Sequence, residues 1–232
     1  MKTNHKTRRG FTLVELLVVI VIIAALAGLT APMVIRQRKK ADQTEAVNNA
    51  RQIGLALFEF ETEYGSFPDD LTAETVKANT ETALVGGKKA NDRFRQLMRA
   101  GIAQSETMFY SKTTYTKKPD GVFNDDLTAL AKGEVGFGLM ENTGGVGLSN
   151  AGNPSRPVVM TPFATGLTGE QFDFDIYDGK AVILKLDNSV TSVPIIKASK
   201  LVKINGKSLT AVGDDTVWGT GVTPTLIYPI SK

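Results

Sequence analysis

Glu15 is the most unusual chemical group in this sequence. It stands at the mouth of an apolar run, LLVVIVIIAALAGLTAPMVI, that extends from Leu16 to Ile35 without a charge. An ionisable group held in hydrocarbon costs ~2.5–3.5 kcal/mol on insertion scales and usually marks a function with a partner. Few other side chains offer chemistry. The chain has no cysteine, which excludes disulfides, thiolate metal sites and thiol nucleophiles. Its one histidine is His5, so imidazole catalysis and most zinc sites are excluded from the rest of the chain. There is no nucleophile elbow, phosphate loop or paired-carboxylate motif, and no enzymatic activity is expected.

Three further groups of residues could bind something. Asp173, Asp175 and Asp178 fall in DFDIYDG, whose order breaks the EF-hand pattern; strand alternation makes Asp173 and Asp175 a solvated face. Asp214 and Asp215 lie together in GDDTVWG; these are only two carboxylates, which do not fill an oxygen shell unless backbone carbonyls and other loops contribute. Scattered lysines (Lys112, Lys117, Lys118, Lys197, Lys200, Lys203, Lys207) read as a solvated surface, and no nucleic-acid partner is expected. Charge agrees. Lys2, Lys6, Arg8 and Arg9 supply four of the 27 Lys and Arg residues; without them 23 stand against 24 acids, a balance of about −1. That is no basic footprint for nucleic acid.

The elements that must position Glu15 follow from the apolar run. Twenty helical residues extend about 30 Å, the thickness of a bilayer's hydrocarbon core. A cleaved secretory signal would be shorter and end in small residues, whereas RQRKK (36–40) follows here. Positive charge flanks both ends, so it does not settle orientation. The block at 36–40 can lie at lipid headgroups, where each cation gains roughly 1 kcal/mol from anionic lipid. Within the run, Gly28 and Pro32 loosen the helix, because proline gives no amide hydrogen and clashes with the preceding turn.

Arg8-Arg9-Gly10-Phe11-Thr12-Leu13-Val14-Glu15-Leu16-Leu17 resembles the class III prepilin signal of type IV pilin-like proteins. The resemblance implies a leader over 1–10, cut between Gly10 and Phe11 by a membrane aspartyl peptidase that also methylates the new Phe11 amine. It implies that Glu15 pairs with the free amine of a neighbouring subunit, so that assembly removes a cost borne by the lone subunit. Pro32 falls where family members have a proline, in a stretch that loosens within filaments.

The helix continues past the membrane segment. Ala46, Ala50, Ile53, Leu57, Phe60 and Tyr64 recur at helical spacing, with polar residues on the other face. The stretch Tyr64-Gly65-Ser66-Phe67-Pro68 ends it, with Gly65 as a left-handed cap and Pro68 preventing continuation. These residues are similar to the boundary in major pseudopilins of type II secretion, where an acidic C-terminal loop often holds calcium. The stretch from Gly213 to Gly219 resembles the end of that loop, which implies calcium at Asp214 and Asp215.

The expected organisation is a leader (1–10), a transmembrane helix (11–35), its amphipathic continuation (36–64) and an α+β head (65–232). Helices are expected over 69–84 and 91–102, and a short one capped by Asn124, Asp125 and Asp126 that runs through Lys132. Residues 107–116 and 171–177 read as strands, and 143–155 as a surface loop. Asp178-Gly179, Asn188-Ser189 and Asn205-Gly206 read as turns between strands over 181–186, 190–196, 201–204 and 208–212. The simplest assembly is an antiparallel sheet packed on the long helix, as the resemblance also implies.

The resemblance implies a subunit of a type II secretion pseudopilus, a helical homopolymer that helps export folded proteins. Its partners would be the prepilin peptidase, other pseudopilins and an inner-membrane assembly platform. It would be a single-pass protein of the bacterial inner membrane with its head in the periplasm. The rivals are a type IV pilus subunit at the cell surface, used in adhesion, motility or DNA uptake, and a membrane-anchored binding domain.

Overall fold

A computed structural model describes residues 11–82, 87–122 and 128–232. Its longest element, α1, runs from Leu13 to Tyr64 with Pro32 inside it. The chain divides into two compact units, Met1–Lys39 and Lys40–Lys232.

In the first unit the helix is bare. Every residue from Phe11 to Arg38 is exposed, and its most apolar window has a mean hydropathy of 2.8 with none of it buried. It is long and apolar enough to cross a membrane. The β-branched residues that fill it are poor helix formers in water, but a helix satisfies its own backbone groups where a solvent cannot. At Pro32 the Gly28 carbonyl loses its usual donor. Nearby, the Thr30 hydroxyl donates to the Leu26 carbonyl at 3.0 Å.

In the second unit, Ala46, Ala50, Ile53, Ala56, Leu57 and Phe60 of α1 are buried in the head's core. Gly65 ends the helix at φ 88°, its amide donating to the Glu61 carbonyl at 2.7 Å. Asp69 then caps α2 (Asp70–Thr80). It accepts from the Thr72 amide at 2.7 Å, while its own amide donates to the Thr72 hydroxyl at 2.7 Å. The next helix, α3 (Ala90–Arg99), buries Phe94 and Leu97.

The sheet is antiparallel. Its strands are β1 (Gly138–Asn142), β2 (Pro157–Thr161), β3 (Lys180–Lys185), β4 (Val190–Pro194) and β7 (Pro224–Ile227), in the order β4-β3-β2-β1-β7. A separate hairpin joins β5 (Lys203–Ile204) to β6 (Lys207–Ser208). Both margins of the sheet carry a proline: Pro194 stands opposite Lys180 and Pro224 opposite Asn142. The α+β architecture is the one expected. Turns form at Asp178-Gly179, at Asn188 and at Asn205-Gly206, all with positive φ.

Two expected strands do not form. Residues 107–116 hold a short 3-10 turn (Glu106–Phe109) and then irregular chain. Thr116 is the cause. Its hydroxyl accepts the Thr113 amide at 2.9 Å and donates to the Ser111 carbonyl at 2.9 Å, so side chains take backbone groups that a ladder would use. Residues 174–178 form turns, because Asp173 accepts the Asp175 amide at 2.9 Å and the Gly179 amide closes back on the Phe174 carbonyl at 2.8 Å. The Asn124–Asp126 cap lies outside the described residues, and 128–130 turn rather than continue a helix.

Candidate functional site

The first turn of α1 carries the group of most interest. Thr12 and Glu15 form a reciprocal cap. The Thr12 amide and hydroxyl donate to Glu15 Oε2 at 2.8 and 2.7 Å, and the Glu15 amide reaches the Thr12 hydroxyl at 3.3 Å. The carboxylate also faces the positive end of the helix dipole. The cap satisfies one carboxylate oxygen by hydrogen bonds from Thr12 and supplies no counter-charge. A neighbour's amine would add to an existing arrangement, and Oε1 is the oxygen the cap does not use. Phe11 is 85% exposed, and Gly10 lies outside the described residues. Pro32 lies inside α1, four residues before the basic block.

Asp214 and Asp215 lie in an exposed loop closed by a bridge between Gly213 and Gly219. Asp215 pairs with Lys207 at 2.7 Å, and the lysine's hydrogen bond and charge hold its carboxyl below the usual range. Trp218, at the loop's far end, is buried and donates to the Leu209 carbonyl at 2.6 Å. The described acids that do converge are Glu106, Asp120 and Glu134, whose carboxylate oxygens lie within 4.8 Å of one another. Glu106 accepts the amides of Leu130 and Gly121 at 2.7 and 2.9 Å. Glu134 accepts the Ala131 amide at 2.7 Å and pairs with Lys117 at 3.1 Å. These bonds brace the loops on either side of 123–127. No local motif announces this cluster, whose members lie 14 residues apart at each step.

A second feature without a sequence motif ties the head together. Arg93 of α3 is fully buried, and its guanidinium reaches Asp70 at 2.6 Å and Glu141 of β1 at 3.0 Å. Burial works against the arginine's charge, but its bonds and Coulomb attraction to Asp70 and Glu141 outweigh this and raise its pKa. Burial raises the Glu141 carboxyl against the pull of Arg93. Two tyrosines are also closed off from water. Burial pushes Tyr115 up to about 12, and Tyr177 higher still. Tyr115 donates to the Gly136 carbonyl at 2.7 Å. An open groove between α1 and the 102–108 segment offers only Glu59 as a titratable group.

The prokaryotic N-terminal methylation motif matches residues 5–31. The type II secretion system core protein G of Klebsiella pneumoniae is 36% identical over 130 residues, 56% of this chain and 79% of that protein. Those of Pectobacterium carotovorum and Escherichia coli K12 are 37% and 39% identical over 71 and 68 residues. These two matches take in 31% and 29% of this chain and 44% and 46% of the relatives, so the chain spans just under half the length of these curated relatives. No solved structure matches at the same stringency.

Proposed function

Because this chain belongs to the type II secretion system core protein G family, we propose that it is a structural subunit of a secretion pseudopilus. A peptidase removes residues 1–10 and methylates Phe11. The α1 helix holds the subunit in the inner membrane with the head in the periplasm. An assembly platform then moves subunits from the bilayer into a helical filament that helps to export folded proteins. The chain is a building block rather than an enzyme.

The observation that carries this reading is the bare first half of α1. A helix exposing Leu13, Leu16, Ile20, Ile23 and Ile35 all round needs a cover. Lipid supplies it before assembly, and the helices of other copies supply it afterwards. The capped Glu15 at its start gives each helix an acidic group that a neighbour's Phe11 amine can meet, which sets the stagger between copies.

Deleting the gene tests the reading. Accumulation of exported enzymes in the periplasm supports it. Loss of surface fibres or of transformation, with secretion intact, overturns it in favour of a type IV pilus. Mass spectrometry of the native chain tests processing separately. A methylated Phe11 at the N-terminus is the expected result, and an intact Met1 overturns the processing step.

A further inference from the structure

Arg36, Arg38, Lys39 and Lys40 follow the apolar span directly. Among the described residues none of the four is in an ion pair. The nearest acid along α1, Asp42, pairs with Lys112 at 2.9 Å instead. Arg36, Arg38 and Lys40 are exposed and Lys39 half-buried. On an α-helix, Arg38, Lys39 and Lys40 lie about 200°, 300° and 40° round from Arg36. Arg38 thus points nearly opposite to Lys40. A protein partner approaching from one side cannot touch all four. A surface that surrounds the helix can.

We propose that Arg36, Arg38, Lys39 and Lys40 form a collar that binds anionic phospholipid headgroups where α1 leaves the membrane, and so fixes how deep the helix lies. The inference rests on the membrane-crossing part of the reading above, but not on polymerisation. The four residues occupy about 6 Å along the axis, within the depth of a headgroup layer. The register follows. Arg36 lies 21 residues beyond Glu15, a rise of about 32 Å. With the collar at the headgroups of one leaflet, Glu15 falls at the far edge of a hydrocarbon core of about 30 Å, not at its centre. There its cost is far below that of a mid-bilayer carboxylate, and a cap from Thr12 suffices. Moving the subunit out of the lipid then requires the collar to release its headgroups.

The test uses the full chain in vesicles of phosphatidylcholine with and without phosphatidylglycerol. Spin-labelled forms of both lipids report which is held at the protein's edge. Each cation at contact is worth about five-fold in affinity for the anionic lipid. The unaltered chain is expected to select phosphatidylglycerol several-fold, and increasingly weakly as salt rises. A variant carrying Arg36→Gln, Arg38→Gln, Lys39→Gln and Lys40→Gln keeps good helix formers throughout. It is expected to lose all selectivity beyond that contributed by the basic residues at 2–9. Equal selectivity in variant and parent overturns the proposal. So does loss of the parent's selectivity on adding inorganic phosphate when sodium chloride at the same ionic strength leaves it in place, which would make the collar a site for a free anion. Filament formation is not read in this measurement, so failure of the secretion reading would not alter its result.

Discussion

Thr12 and Glu15 satisfy one another across the first turn of α1, with both the amide and the hydroxyl of Thr12 on a single carboxylate oxygen at 2.8 and 2.7 Å. The cap and the charge of Glu15 are separable. Glu15→Gln keeps an acceptor for the cap and removes the charge. Thr12→Val removes the hydroxyl and keeps the charge, at a helix cost of about 1 kcal/mol. If pairing with a neighbour's amine drives assembly, Thr12→Val enters filaments near normally. Glu15→Gln and Glu15→Ala stay in the membrane fraction but are excluded. Shearing and immunoblotting of filaments distinguishes these, and normal incorporation of Glu15→Gln refutes charge pairing.

Gly147 lies where the β1–β2 connection crosses the chain leaving α1. Its amide donates to Asp69 at 3.1 Å, and a Cβ there would meet the Phe67 carbonyl oxygen at 2.1 Å. Phe67 is itself held by backbone, since its amide donates to the Leu148 carbonyl at 2.9 Å. Gly147→Ala is expected to cost about 1–3 kcal/mol through overpacking. Thermal unfolding of the head should fall by several degrees; an unchanged Tm contradicts the close approach.

The buried Arg93 gives a prediction with a pH signature. Arg93→Met leaves Glu141, whose side chain is 4% exposed, without its cation. Removing one member of a buried pair costs about 3–5 kcal/mol. Burial already holds the Glu141 carboxyl above its ordinary pKa, so the folded state binds this proton more tightly than the unfolded state does. Stability therefore increases as pH falls through that range, and the deficit of Arg93→Met should shrink between neutral pH and mild acid. A deficit independent of pH would show that lost packing, not the unpaired buried charge, is responsible. The double variant with Glu141→Leu should recover much of the loss at neutral pH.

Tyr115 supplies the alkaline counterpart. Its folded pKa is about 12 against an ordinary value of 10.0. Its stabilising contribution is complete below pH 10 and is lost as pH rises from there towards 12, because the unfolded phenol ionises first. Ultraviolet titration should find the Tyr115 phenol silent until the head unfolds. Reversible ionisation of every tyrosine near pH 10, with the fold intact, would contradict its burial.

The long helix was legible because two independent patterns meet in it: an unbroken apolar run, then a stripe at helical spacing ending at Gly65. Glu15 was found because a carboxylate beside such a run stands out. Its local partner Thr12, three residues before it, is inconspicuous because an apolar run draws attention to the cost of the acid and not to a capping pair in the first turn. In the head, Asn205-Gly206 and Asp178-Gly179 announced their turns by residue type alone. Strands β1, β2 and β7 were not foreseen: β1 is buried on both faces over Gly138–Glu141, so alternation is lost, and β7 starts at a proline. Phe172, Phe174 and Ile176 alternate as a strand would, yet Asp173 captures the Asp175 amide and bends the chain. The Arg93 network joins residues 23 and 48 positions apart, and no local pattern encodes contacts of that range.

The prolines at Pro194 and Pro224 have a consequence for how two copies of this head meet. An open sheet margin invites another chain to extend it, and such growth ends in irreversible aggregation. Each margin here is four or five residues long and carries at one end a residue with no amide hydrogen to offer. Copies crowded side by side are thereby denied association through their strands. That leaves the apolar surface of the first half of α1, not the sheet margin, as the adhesive face of the chain.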